Sequence, residues 1–209
     1  LGAHHACIEL ENVTVQRSII LASSSPYRRD LLTRLGLDFK AIDPDFTETI
    51  DPGVAPELQV KHLALGKARS LVNTCSDALI IGSDQVFCDA SGRILGKPGD
   101  MPGAQRQLER MAGKKHHFYT GLALVDSSTG QTQVTSVVST VVLRDLSSSR
   151  IRHYLERERP FDCAGSFKVE GLGIALMEEV TGSDYTALIG LPLISLTSML
   201  QKAGIDPLA

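Results

Sequence analysis

The chain has 209 residues, 43% of them hydrophobic and 22% charged, with a formal net charge of -3. That length suits one large domain or two small lobes around a substantial core. The mild acidity gives no reason to expect general binding of nucleic-acid polymers, and no stretch approaches the roughly 20 apolar residues of a membrane span.

Residues 1–17, "LGAHHACIELENVTVQR", show no clear periodicity and read as a natural extension or a cloning remnant ahead of a single domain over residues 18–209. They lack a basic segment followed by an apolar one, so no secretory signal is expected. His4 and His5 could bind a metal, although such a pair near a terminus more often does nothing. Cys7, Cys75, Cys88 and Cys163 show no C-x-x-C spacing. They read as reduced thiols of a cytoplasmic protein.

"SIILA" at 18–22 is a short β-branched run bounded by serines, the pattern of a buried strand. "SPYRRDLLTRLG" then switches to helical period, with Ser25 as N-cap, Pro26 in the first turn and Gly36 as the stop. "LDFKAID" reads as a strand, "PELQVKHLALGKARSLVN" as a helix, and "DALIIGSD" as a second buried strand ending on Asp84. "QVFCD-ASG-RILG" predicts a hairpin around a Gly-containing turn. A helix over roughly 102–112 precedes two long strands joined by "SSTGQ" at 127–131. "SSSRIRHYLERER" predicts a serine-capped helix, "CAGSFKVEGLGIALMEEVTG" a mostly extended segment, and "LPLISLTSMLQKAG" a closing amphipathic helix. Strands alternating with helices early and paired strands later imply an α/β fold with a mixed, twisted sheet and flanking helices.

Several residues oppose local stability. A capping box begun by Ser25 would place Glu or Gln at residue 28, yet Arg28 and Arg29 stand there, where the helix dipole is already positive. Either they are solvated, or an anion rests on the free N–H groups of that turn. Lys67 falls on the stripe made by Val60, Leu63, Ala64 and Leu71, so its ammonium must snorkel outward or find an anion. "ALII" is apolar on both faces, as a central strand requires, and Gly82-Ser83 then leads to an acid. Asp84 is placed to project into a crevice beyond the strand end, and Lys97 follows a hairpin long enough to return beside it. Glu48 and the pair Lys168 and Glu170 are further polar clusters.

Five cations (Arg28, Arg29, Lys67, Lys97, Lys168) and three carboxylates (Glu48, Asp84, Glu170) suit a polyphosphate with a divalent metal. Cations neutralise phosphoryl oxygens, while carboxylates hold Mg²⁺ or accept a proton from water. No phosphate-loop, dinucleotide-binding or nucleophile-elbow motif occurs at a suitable strand–helix junction. His62, His116, His117 and His153 have no triad or zinc-protease setting.

In this order, "LASSSPYRRDLL", "KARSL", "IIGSDQV", "GKP", "YTGLAL", "AGSFKVEG" and "LIGLPL" resemble the Maf family of nucleotide pyrophosphatases over about residues 18–206. The resemblance implies an inosine-triphosphatase-like fold with a cleft between two lobes. It implies cleavage of a nucleoside triphosphate to the monophosphate and pyrophosphate with Mg²⁺ or Mn²⁺, and a homodimer. By the same resemblance Asp84 is the proton acceptor, Ser23, Arg28, Lys67 and Lys97 are phosphate-site positions, and Glu48 lies near the metal. Tyr27, Gln85 and Glu170 match positions linked to substrate choice. The branch acting on dTTP and UTP typically carries arginine and glutamine where this chain has Tyr27 and Glu170. The pattern "SPYRR…SFKVEG" is instead similar to the branch that hydrolyses 7-methyl-GTP. A dTTP/UTP or broad-specificity pyrophosphatase of the same family and a non-catalytic nucleotide sensor regulating septum formation are the alternatives.

Overall fold

A computed structural model of the chain describes residues 17–209. The segment read as an extension, with His4, His5 and Cys7, lies outside them except for Arg17. Seven strands form one mixed sheet in the order β2-β1-β3-β5-β6-β7, with β4 added to the free side of β3. In chain order the elements are β1 (Ser18–Ala22), α1 (Pro26–Thr33), β2 (Lys40–Ile42), α2 (Pro56–Arg69), β3 (Ala78–Cys88), β4 (Ile94–Leu95) and α3 (Met101–Met111). They continue as β5 (Lys115–Asp126), β6 (Thr132–Leu143), α4 (Ser148–Glu158), β7 (Met177–Gly182), α5 (Tyr185–Ile189) and α6 (Leu193–Lys202).

β1 is apolar on both faces because it is covered on both. Ile19 and Leu21 pack with Leu31 and Leu32 of α1 and with Leu196 and Leu200 of α6. Ile20 and Ala22 pack with Ala64 and Ala68 of α2. A separate core lies towards the other end of the sheet, where Phe87 and Phe118 meet Leu108 of α3, Leu155 of α4 and Phe167. These two bodies of apolar packing are the lobes on either side of the cleft.

β3 is longer than its sequence pattern suggests and does not end at Asp84. It pairs antiparallel with β5 from Leu79 to Cys88, so Asp84 lies inside the strand opposite Gly121. What changes is the partner on its other edge. β1 runs parallel to it as far as the Ala22–Gly82 pair, and β4 takes up antiparallel pairing only at Phe87. Residues 83–86 are left between two departing neighbours, and the crevice opens there. The segment 163–182, expected to be mostly extended, is a strand only over β7; short 3₁₀ turns occupy Ala164–Ser166 and Leu172–Leu176.

Candidate active site

A cleft of about 540 Å³ opens over that fork in the sheet. Its walls include Ser23, Tyr27 and Arg28 from the β1–α1 junction, Glu48 from the loop before α2, and Lys67 from α2. Asp84 and Gln85 come from β3, Lys97 from the loop after β4, and Glu170 from the far lobe. Arg29 and Lys168 are not among the lining residues. Successive helical residues turn about 100°, so with Arg28 facing inward Arg29 points to solvent. Lys168 stands behind the wall, 3.8 Å from Asp162, with its ammonium near the Tyr27 hydroxyl.

The deepest charges are Lys67 and Asp84, both buried. The Lys67 ammonium donates to Asp84 Oδ1 and lies 2.6 Å from Glu48 Oε1. The apolar-stripe lysine has therefore found anions instead of snorkelling. This approach depends on glycine. Gly82 and Gly121 lie on the sheet face under α2, and a Cβ on either would sit 2.1 Å from a backbone oxygen of that helix, Ala64 or Val60 respectively. Without those side chains the helix axis comes down close enough for Lys67 to reach the strand.

Glu48 is held in place from below. Gln59, buried on α2, donates through Nε2 to Thr49 O at 2.7 Å, and its Oε1 accepts from Asp51 N at 3.0 Å. Sequence reading passed over Gln59. Its signal was a carboxamide beside Val60 and Leu63 on a helix face that packs inward.

At the β1–α1 junction Ser25 Oγ accepts from Arg28 N at 3.4 Å, capping α1, and Ser23 Oγ accepts from Ser25 N at 3.1 Å. The Arg28 side chain donates through Nε to Gly190 O at 2.9 Å. The same carbonyl accepts from Ser83 Oγ at 2.9 Å. Arg28 is thus aimed by the α5–α6 turn, and its terminal nitrogens take no partner among the described residues. Burial pushes its guanidinium below the usual value, opposed by the nearby Asp84 and Glu48 charges. A phosphoryl oxygen would restore what burial removes.

The α5–α6 turn is itself fixed by buried Asp184. Its Oδ1 accepts from Thr186 N at 2.9 Å and its Oδ2 from Ile194 N at 2.8 Å, so one carboxylate caps two helices.

The opposite end of the cleft is less charged. Tyr27 is half-buried, and burial raises its hydroxyl pKa while the Lys168 ammonium opposes the rise. Glu170 is exposed at the rim, and Phe167, Val169 and Leu188 line the same wall. Gln85 spends its amide nitrogen on Thr120 Oγ1, Ala187 O and Leu188 O at 2.8–3.1 Å. Only its carbonyl end is available to a ligand.

Among the described residues no three metal-binding side chains gather in one place. Asp84 and Glu48 nevertheless supply two hard oxygen donors on one ammonium. That set suits a Mg²⁺ or Mn²⁺ ion that takes its remaining ligands from water and phosphate.

The Maf-like protein family model matches residues 18–203. A 7-methyl-GTP pyrophosphatase from Syntrophotalea carbinolica is 58% identical over 187 residues, covering 90% of this chain and 95% of its own. One from Cupriavidus pinatubonensis is 50% identical over 186 residues, covering 89% and 93%. Among solved structures, the Staphylococcus aureus Ham1 protein overlaps 62% of this chain and 73% of its own at 12% identity and a TM-score of 0.44.

Proposed function

Because the chain belongs to the Maf family, we infer that it is a nucleotide pyrophosphatase that hydrolyses 7-methyl-GTP to 7-methyl-GMP and pyrophosphate. The observation that carries the chemistry is the buried Lys67–Asp84 pair, with the exposed Glu48 carboxylate on the same ammonium, beside a half-buried, aimed Arg28. Lys67 holds Asp84 Oδ1, which leaves Oδ2 to orient a water and take its proton as the water oxygen attacks the α-phosphorus. Arg28, Lys67 and Lys97 neutralise charge that builds on the phosphoryl oxygens and the departing pyrophosphate. The Ser23 hydroxyl and the Tyr27 N–H, left free among the described residues where Ser25 caps Arg28 N, add hydrogen-bond donors. Mg²⁺ or Mn²⁺ carried in with the triphosphate would be held by Glu48 and Asp84 and would supply further charge neutralisation.

Base choice falls to the less charged end. Methylation at N7 gives guanine a delocalised positive charge, which an aromatic face such as Tyr27 attracts by about 1 kcal/mol or more when water is excluded. The Glu170 carboxylate accepts from the guanine N1–H and N2–H₂ donors and offsets the same charge. The Gln85 carbonyl is the remaining acceptor. Pyrimidines offer neither the cation nor that donor pair.

No helix of the described residues is long and apolar enough to cross a membrane. A cytoplasmic location and a homodimeric assembly belong to the same proposal. The test is a competition of 7-methyl-GTP, GTP, dTTP and UTP, with and without Mg²⁺ and Mn²⁺, read as pyrophosphate release. Metal-dependent turnover with 7-methyl-GTP preferred is expected. A preference for dTTP or UTP would overturn the base assignment, and tight binding without turnover would overturn the enzymatic one.

A further inference from the structure

Beyond the Gly96–Lys97 wall of the cleft lies a second depression of about 470 Å³, lined by Lys97, Pro98, Gly103, Arg106, Gln107, Glu109 and Arg110. Lys97 belongs to both hollows. The wall is fixed to α3 by Gln107 Nε2, which donates to Gly96 O at 3.1 Å.

Arg106 and Arg110 stand one turn apart on α3, a like-charge spacing that weakens a helix. Arg110 recovers some of this from the helix C-terminus, but Arg106 does not. Among the described residues neither arginine nor Lys97 is ion-paired. The one acid in the hollow, Glu109, is engaged by Gln105 at 3.0 Å and lies near Arg152 of α4. Three cations without an ion pair among the described residues thus surround a concavity that shares Lys97 with the cleft.

We propose that this hollow is a leaving-group subsite that holds phosphoryl groups beyond the γ-phosphate, so that nucleoside 5′-tetraphosphates are substrates. The assignment rests on the pyrophosphatase reading above and extends its substrate class. The water oxygen bonds to the α-phosphorus, and the bond from that phosphorus to its bridging oxygen breaks. The electron pair leaves with inorganic triphosphate, and the water proton passes to Asp84. Arg106 and Arg110 meet the fourth, δ-phosphate, which 7-methyl-GTP lacks.

The experiment compares 7-methylguanosine 5′-tetraphosphate with 7-methyl-GTP on the full chain and on R106A/R110A, whose exposed changes leave the core intact. The double variant should lose about tenfold in kcat/KM on the tetraphosphate, the size of one charge-assisted contact, and under about twofold on 7-methyl-GTP. Equal losses on both substrates, or none on either, would overturn the subsite. Titration with inorganic tripolyphosphate and pyrophosphate separates this from the parent reading. Tripolyphosphate should bind the variant about fivefold or more weakly while pyrophosphate binding stays level, whichever nucleotide is hydrolysed. Unchanged tripolyphosphate binding would reject the subsite. Failure of the wild type on 7-methyl-GTP would instead reject the base assignment.

Discussion

Lys67 is the residue on which fold and chemistry meet. Its stem occupies the apolar stripe of α2 and its ammonium joins Asp84 to Glu48. Lys67→Met leaves a buried carboxylate without its cation, and loss of one partner of such a pair costs about 3–5 kcal/mol. Urea unfolding should show that loss, and should show much of it recovered in K67M/D84N, where the charge left behind is removed. Neither variant should release pyrophosphate. Asp84→Asn alone should keep the fold and lower kcat by roughly 10²-fold or more, the scale of general-base loss; near-normal turnover would remove Asp84 from that role. The sequence displayed Lys67 because a cation on an apolar stripe violates a rule of burial. The burial and capping rules alone could not separate Arg28 from Arg29, although the family resemblance singled out Arg28. Both break the same rule at the helix start, and only the rotation of α1 against the α5–α6 turn turns one of them inward.

Among the elements, the contact of α2 with β3 and β5 sets the depth of the site. Gly121→Ala places a Cβ 2.1 Å from Val60 O, backbone that cannot rotate away. The helix must lift, and about 2 kcal/mol or more of stability should go with it. Activity should fall further than stability explains, because Lys67 is carried away from Asp84; a thermal melt beside a kcat measurement checks both. Helices with caps and clear periodicity, such as α1 and α3, were legible within a residue or two. β3 was misjudged because the polar run Gly82-Ser83-Asp84 breaks the apolar pattern, while the pairing that continues the strand comes from β5, more than thirty residues away. The segment around Ser166 was misread as extended. Its turn relies on a left-handed backbone at Ser166, with φ of 62°, which no propensity announces. The five residues of α5 escaped notice because Asp184 and the packing around it make that helix, not its own period.

At the scale of the molecule, the sheet is fastened where β1 begins. Arg17 grips Asp126 at the end of β5 through two nitrogens, at 2.8 and 2.6 Å. The Arg17 hydrogen bonds hold the Asp126 carboxyl well below the usual range, against an opposing push from burial. A carboxyl depressed in the folded state stabilises above its unfolded value, near 3.9, and loses that contribution as pH falls towards the folded value. Asp126→Asn should therefore cost about 1–2 kcal/mol at pH 5–8. The gap to wild type should narrow below about pH 4 in denaturant titrations. A mixed sheet was legible from the order of elements, yet this fastening was not, since Arg17 fell at the edge of a segment without pattern. The placing of Asp84 inside β3 has a consequence for time as well as for chemistry. The carboxylate rides on backbone paired throughout with β5, so its amide exchanges with solvent only when the sheet opens as a unit. Turnover and structure should therefore be lost together on heating, which pyrophosphate release followed beside a thermal melt checks.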